Sequence, residues 1–157
     1  VSNLPYNVAV PVVLHFLVTF ESLQTLLVMV QAEVADRLAA GPGSRTYGVP
    51  SVKARWYGSV ERAGSIGRNV FWPAPNVDSA LVLLQRRSQP DADRARAFSL
   101  VDAGFAQRRK TLRSALAAAL GGADVAAHTL TDAGIDPGAR AEVLAVDDWA
   151  RLAQACS

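Results

Sequence analysis

The chain has 157 residues, of which 50% are hydrophobic and 19% charged, and a formal net charge of +2. That apolar content supplies a sizeable core and excludes a disordered tail. One cysteine, Cys156, and two histidines, His15 and His128, exclude an intrachain disulfide and a Cys/His zinc site, and fit a reducing compartment. The longest apolar stretch, residues 8–20, is interrupted by Pro11 and His15 and falls short of the roughly 20 residues of a spanning helix. It also lacks the basic leader of a secretory signal. The chain opens Val-Ser-Asn-Leu-Pro-Tyr without an initiator Met, in what reads as the end of a strand, so a piece of a longer protein is expected.

Charge is unevenly spread. Residues 1–44 carry one Lys or Arg against three Asp or Glu, residues 45–113 carry 13 against 5, and residues 114–157 carry 2 against 6. Eleven of the thirteen central cations are Arg, whose planar fork suits bidentate phosphate contact or stacking on bases. Charge alone serves a solvated Arg-rich face equally well.

In chain order, residues 1–4 read as a strand end, followed by the turn formers Pro5 and Asn7. An apolar helix is expected from about Val10, with Pro11 in its first turn, where the missing N–H is harmless. Residues 25–31 form a continuous apolar run of the kind a buried strand shows. Val34 and Leu38, four apart, mark a helix over 32–40 that Gly41-Pro42-Gly43-Ser44 ends. A second helix is expected over 50–57, then strands over 59–67 and 79–85 joined by the loop Phe71-Trp72-Pro73-Ala74-Pro75-Asn76.

Beyond Pro90 the pattern is helical only, so an α/β domain over 1–88 and a helical domain over 89–157 are expected. Phe98, Val101, Phe105, Leu112, Leu116 and Ala119 form one apolar stripe, with Gly104 as a potential break. On a single helix Arg109, Lys110 and Arg113 lie about 60 to 160° from Leu112, together on one flank. Asp136-Pro137 suits a helix N-cap and first position, and Asp147-Asp148 suits the first turn of a last helix ending near Cys156.

Three segments carry chemistry. The first is Asn3-Leu4-Pro5-Tyr6. An exocyclic amine such as adenine N6 is a poor nucleophile because its lone pair is delocalised into the ring. Two acceptors for its N–H groups, here the Asn3 side-chain oxygen and the Leu4 carbonyl held by the stiff Pro5, favour a freer lone pair. Tyr6 follows where it could stack on the base. An ordinary strand-to-helix turn is the competing reading. The second segment is the aromatic and proline loop 71–79, suited to offering a second aromatic face across from Tyr6, as enzymes acting on extruded bases require. A structural crossover with Phe71 and Trp72 in the core is its alternative. The third is the basic run 105–113, either a phosphate-contacting surface or a solvated helix flank. No Gly-x-Ser-x-Gly elbow accompanies the Ser, His and Asp residues, which excludes that hydrolase chemistry. His15 is expected to be a satisfied interior or interface group, and His128, Cys156 and Met29 carry no functional role.

In this order and at these intervals, the three segments resemble the ribosomal RNA adenine dimethyltransferase family, in its bacterial small-subunit branch. The same holds for Met29 to Leu38, Tyr47-Gly48 with Ser51-Val52, Gly134-Ile135-Asp136-Pro137, and Ala139-Arg140-Ala141-Glu142, so the likeness covers nearly the whole chain. The resemblance implies the carboxy-terminal part of a Rossmann-like α/β methyltransferase sheet followed by a small all-helical domain. It implies S-adenosylmethionine as cofactor, small-subunit ribosomal RNA in an assembling 30S-type subunit as partner, no metal, no membrane, and a cytoplasmic location.

By the same resemblance Asn3 and Leu4 hold the target N6, with Pro5 fixing them, and Tyr6 and Phe71 sandwich the adenine. Asn3 also borders the cofactor, while Arg108, Arg109, Lys110 and Arg113 bind RNA. The family's glycine-rich cofactor loop and acidic ribose-binding residue precede its Asn-Leu-Pro-Tyr motif and have no counterpart here; Gly41-Pro42-Gly43 follows a helix. Ala145 stands where a Ser or Thr cap would be usual, and Trp72 is tolerated by the pattern. The chain alone is therefore expected to be inactive. A large-subunit methyltransferase of the antibiotic-resistance type and a non-catalytic RNA-binding assembly module are the alternatives.

Overall fold

The computed structural model describes residues 1–5 and 8–156, and the expectation for Tyr6 lies outside the described residues. The chain divides into two compact units, Val1–Ala40 with Lys53–Gln89, and Gly41–Val52 with Pro90–Ser157. The second unit takes the segment 41–52, which precedes two strands of the first in sequence.

In the first unit a four-stranded sheet runs in the order β1 (Ser2–Asn3), β2 (Thr25–Gln31), β4 (Ser79–Arg86), β3 (Gly58–Ile66). β1 and β2 are parallel, and β4 is antiparallel to both β2 and β3. Register explains the shared core face: Leu26 lies opposite Leu84, Val28 opposite Val82 and Val30 opposite Ala80, and all six are buried. Gly58 is required where β3 meets β4, since a Cβ there would lie 2.0 Å from the Gln85 carbonyl oxygen.

Helix α1 (Ala9–Thr19) buries Ala9, Val13 and Leu17 at four-residue spacing. His15 falls off this stripe and is exposed, correcting the interior placement; its Nδ1 lies 3.4 Å from Thr19 Oγ1. Helix α2 (Ala32–Ala39) packs on β3 and β4, and α3 (Val49–Arg55) precedes β3. Two central arginines close helix ends within this unit. Arg55 donates to the carbonyls of Ala39 at 2.6 Å and Ala40 at 2.9 Å, and Arg86 to those of Leu17, Phe20 and Leu23 at 2.8 to 3.0 Å.

The second unit holds α4 (Arg94–Ala106), α5 (Leu112–Ala115), α6 (Ala117–Leu120), α7 (Ala123–Asp132) and α8 (Val146–Ala155) around the fully buried Leu112, Leu116, Leu130, Trp149 and Leu152. Asp93 caps α4 by accepting from the Arg96 N–H. The segment 41–52 is fastened by Tyr47, whose hydroxyl donates to the Leu144 carbonyl at 2.8 Å and whose ring meets Phe105 edge-on.

The structure decides what the apolar stripe left open and corrects one expectation. The stripe from Phe98 to Ala119 is not one helix: residues 107–110 form a turn, with Lys110 N–H donating to the Gln107 carbonyl. The chain leaves the helix because the N–H groups of Leu112 and Arg113 find carbonyl partners in Ala139 and Pro137, which start α5 afresh. Gly104 does not break α4. It lets Trp149 approach, since a Cβ there would lie 2.8 Å from the indole. Asp136-Pro137 starts no helix; Asp136 Oδ1 accepts from Gly138 N–H at 2.8 Å and its carbonyl from Ala139 N–H, closing a turn that presents the carbonyls used by α5. The last helix does start at Val146, where Asp148 accepts from the Ala145 N–H at 2.7 Å and compensates for the absent side-chain cap.

Candidate functional site

A cavity of about 700 Å³ opens in the first unit, lined by Asn3, Leu4, Pro5, Met29, Val30, Phe71, Trp72, Pro73, Pro75 and Ser79. Sheet topology places it there. The parallel pair β1 and β2 brings the carboxyl ends of both strands together, the usual location of ligand sites in α/β sheets. β4 runs the other way, so its first residue, Ser79, lies opposite Gln31, and the loop entering β4 arrives at the same end.

The two sides of the cavity are held by main-chain bonds. Leu4 N–H donates to the Met29 carbonyl at 3.1 Å, continuing the β1–β2 ladder just past Asn3. Leu4 is buried, which turns its side chain inward, while Asn3 is exposed on the cavity. Across from them, Asp78 fastens both ends of the loop: its Oδ1 accepts from Arg68 N–H at 3.1 Å and its carbonyl from Ala32 N–H at 3.0 Å. Between these anchors Pro73 and Pro75 stiffen an extended segment that carries Phe71 into the wall.

Among the described residues the walls are mainly apolar, with the Asn3 and Ser79 side chains as the polar groups, and the volume admits a flat heteroaromatic ring with room to spare. Of the sequence-expected residues, Asn3, Leu4, Pro5 and Phe71 meet here, and Tyr6 lies outside the described residues. Met29, assigned no role from sequence, also lines the cavity, because it is the register partner of Asn3. The signal was the strand pairing itself, which a single sequence does not print. No cluster of three or more metal-ligating side chains occurs among the described residues.

The basic run of the second unit divides. Arg108 is engaged internally, pairing with Glu142 at 2.8 Å and donating to the Arg45 carbonyl at 2.9 Å. Arg113 pairs with Asp124 at 2.7 Å. Arg109 and Lys110, at the tip of the turn, are exposed and form no ion pair among the described residues; with Phe105 and Gln107 they border a shallow hollow of about 370 Å³. Among the described residues no helix is long and apolar enough to cross a membrane.

Comparison with known proteins follows the same line. The chain is 66% identical over 157 residues to the ribosomal RNA small subunit methyltransferase A of Streptomyces coelicolor, a match covering 98% of this chain and 55% of that protein. It is 60% identical over 156 residues to the protein of the same name from Thermobifida fusca, covering 98% and 54%. The chain thus spans about half the length of the curated relatives it matches.

Among solved structures, a dimethyladenosine transferase from Plasmodium falciparum superposes with a TM-score of 0.83 at 21% identity, covering 96% of this chain and 64% of that one. The 23S rRNA methyltransferase ErmE superposes with a TM-score of 0.66 at 23% identity, covering 98% and 62%. The fold is accordingly that of an α/β methyltransferase. The profile of the family described as ribosomal RNA adenine dimethylase matches residues 1–157, end to end, and the chain belongs to that family.

Proposed function

We propose that the intact protein carrying this chain transfers methyl groups from S-adenosylmethionine to N6 of two adjacent adenosines of small-subunit (16S) ribosomal RNA, in the cytoplasm, as a step of ribosome biogenesis. The observation that carries this reading is the single cavity that gathers Asn3, Leu4, Pro5 and Phe71 at the carboxyl ends of β1 and β2. The relatives named for this activity support the substrate class.

The chemistry asked of these residues is positioning and hydrogen-bond acceptance. The Asn3 side-chain oxygen and the Leu4 carbonyl accept from the N6 amino group and release its lone pair from conjugation with the ring. Pro5 fixes the carbonyl, and Phe71 with Tyr6 holds the base flat. No strong general base is needed, because the proton leaves after N6 has become a better acid.

S-adenosylmethionine, when bound, supplies the electrophilic methyl group. Asn3 would border it, but among the described residues no carboxylate and no glycine-rich turn lines the cavity to hold a ribose or an amino-acid tail. The described residues therefore fit the methyl-accepting base better than the donor. Residues 1–88 serve the methyltransferase domain. Residues 89–157 bind RNA through Arg109 and Lys110, with Arg113 adding charge and Arg108 securing the turn that displays them.

Methyl transfer to isolated ribosomal subunits tests the reading. Incorporation into N6 of small-subunit adenosines by the intact protein, lost on Asn3→Ala, is expected. Incorporation into large-subunit RNA, or none with either subunit, would overturn it.

A further inference from the structure

The loop that supplies Phe71 also carries a cluster of outward apolar side chains: Trp72 is 98% exposed, Val70 71% and Val77 41%. The chain has three tryptophans, and the other two, Trp56 and Trp149, are buried to 1% exposure or less. An indole held in water forfeits the burial that normally stabilises so large an apolar group. Nor is Trp72 at a loose end, since Asp78 anchors the loop on both sides and prolines follow at 73 and 75. Phe71 is extended, at φ −110° and ψ 149°, so consecutive side chains diverge: Phe71 enters the wall and Trp72 stands on the rim of the same cavity.

Resting on the adenine-slot reading above, we propose that Trp72 is a second nucleobase platform, stacking on a base next to the one held in the cavity. Its place at the edge of the cavity assigned to the target base selects this occupant over a protein surface. A strand that delivers one base into the slot must pass its neighbour over the rim, where the flat indole face is solvated and open. Base stacking tolerates any base, so Trp72 adds affinity for single-stranded RNA around the target without reading its sequence. Stacking also removes the neighbouring base from its own RNA stack, which assists extrusion of the target.

The test compares adenosine 5′-monophosphate, which fills only the slot, with single-stranded pentaadenylate, which also reaches the rim, on the intact protein. Trp72→Ala is expected to raise the Kd of pentaadenylate about ten-fold, within the range a lost base stack produces, and to leave that of the mononucleotide unchanged. Trp72→Phe should restore most of the loss. The wild-type emission that is absent from Trp72→Phe should be quenched by pentaadenylate and not by the mononucleotide. Equal weakening of both probes would make Trp72 part of the slot wall, and an unchanged pentaadenylate Kd would leave the indole to a protein surface, of a partner or of the rest of the intact protein; either result overturns the proposal. Mononucleotide binding that is absent, or insensitive to Phe71→Ala, sinks the adenine slot itself and the rim platform with it.

Discussion

The two units treat their chemically promising residues differently. At the strand ends of the sheet unit, Asn3 and Trp72 are exposed on a cavity whose frame is made by other atoms: the Leu4–Met29 main-chain bond and the Asp78 anchors. In the helical unit, a run of four cations is split: Arg108 is tied to Glu142, Arg113 is outward in an exposed pair with Asp124, and Arg109 and Lys110 are outward with no ion pair among the described residues. A fold that frames a site with main-chain bonds leaves side chains available for chemistry. One that uses the side chains as fasteners leaves only some of them. Adjacent residues of one motif therefore need not share one role.

Substitutions can break this contrast, beginning with the largest effect. In the intact protein Asn3→Ala should lower kcat/KM for methyl transfer by about 10²- to 10³-fold, as for loss of one preorganised polar contact to a reacting group, with an unchanged melting temperature. A parallel loss of thermal stability would mean that Asn3 is a fastener after all.

Next, Gly104→Ala should destabilise by about 1 to 3 kcal/mol through overpacking against Trp149, and thermal melting would show it as a drop of several degrees. A neutral result would mean that the α4–α8 contact yields easily.

Tyr47→Phe removes the hydroxyl that reaches the buried Leu144 carbonyl, and a loss of about 1 to 2 kcal/mol in denaturant unfolding is expected. Because Tyr47 fastens the segment 41–52, hydrogen exchange should also rise there before it rises in the sheet.

The smallest expected effect sharpens the split within the basic turn. Arg109→Ala with Lys110→Ala should flatten the salt dependence of RNA binding by about two units of slope without changing stability. Arg108→Ala should do the reverse, costing at most about 1 kcal/mol, since its pair with Glu142 is partly solvent-screened. Equal salt slopes for the two variants would erase the distinction between fastener and contact.

Much of the first unit was legible in sequence because local rules govern it. The apolar run at 25–31 reads as a strand, Pro11 suits the first turn of a helix, and the glycines after Ala40 follow a helix end. The second unit was less legible where distant partners intervene. Periodicity put residues 98–119 on one apolar stripe and left open whether it was one helix or two; the carbonyls of Pro137 and Ala139, some 25 residues away, supply the bonds that start a new helix at Leu112. Whether Gly104 breaks the helix stayed open in sequence because its reason for being glycine is Trp149, 45 residues downstream. Ala145 lacked a cap in the local pattern, but Asp148 reaches back to its N–H.

By itself the sequence determined the chemical inventory and its order: an amide and a carbonyl before a proline, an aromatic proline loop, then a basic run. These are local covalent facts, and their spacing carries the family resemblance. Only the tertiary structure decided that the first two share one cavity, since this requires the parallel β1–β2 pair and the reversed β4 to bring residues 3 and 71 to the same sheet end. It also decided which cations are available, because an Arg held in part-buried contacts, as Arg55, Arg86 and Arg108 are, is used up by the fold. The net charge of +2 and the basic middle of the chain record how many cations there are, and the hydrogen bonds decide how many of them face outward.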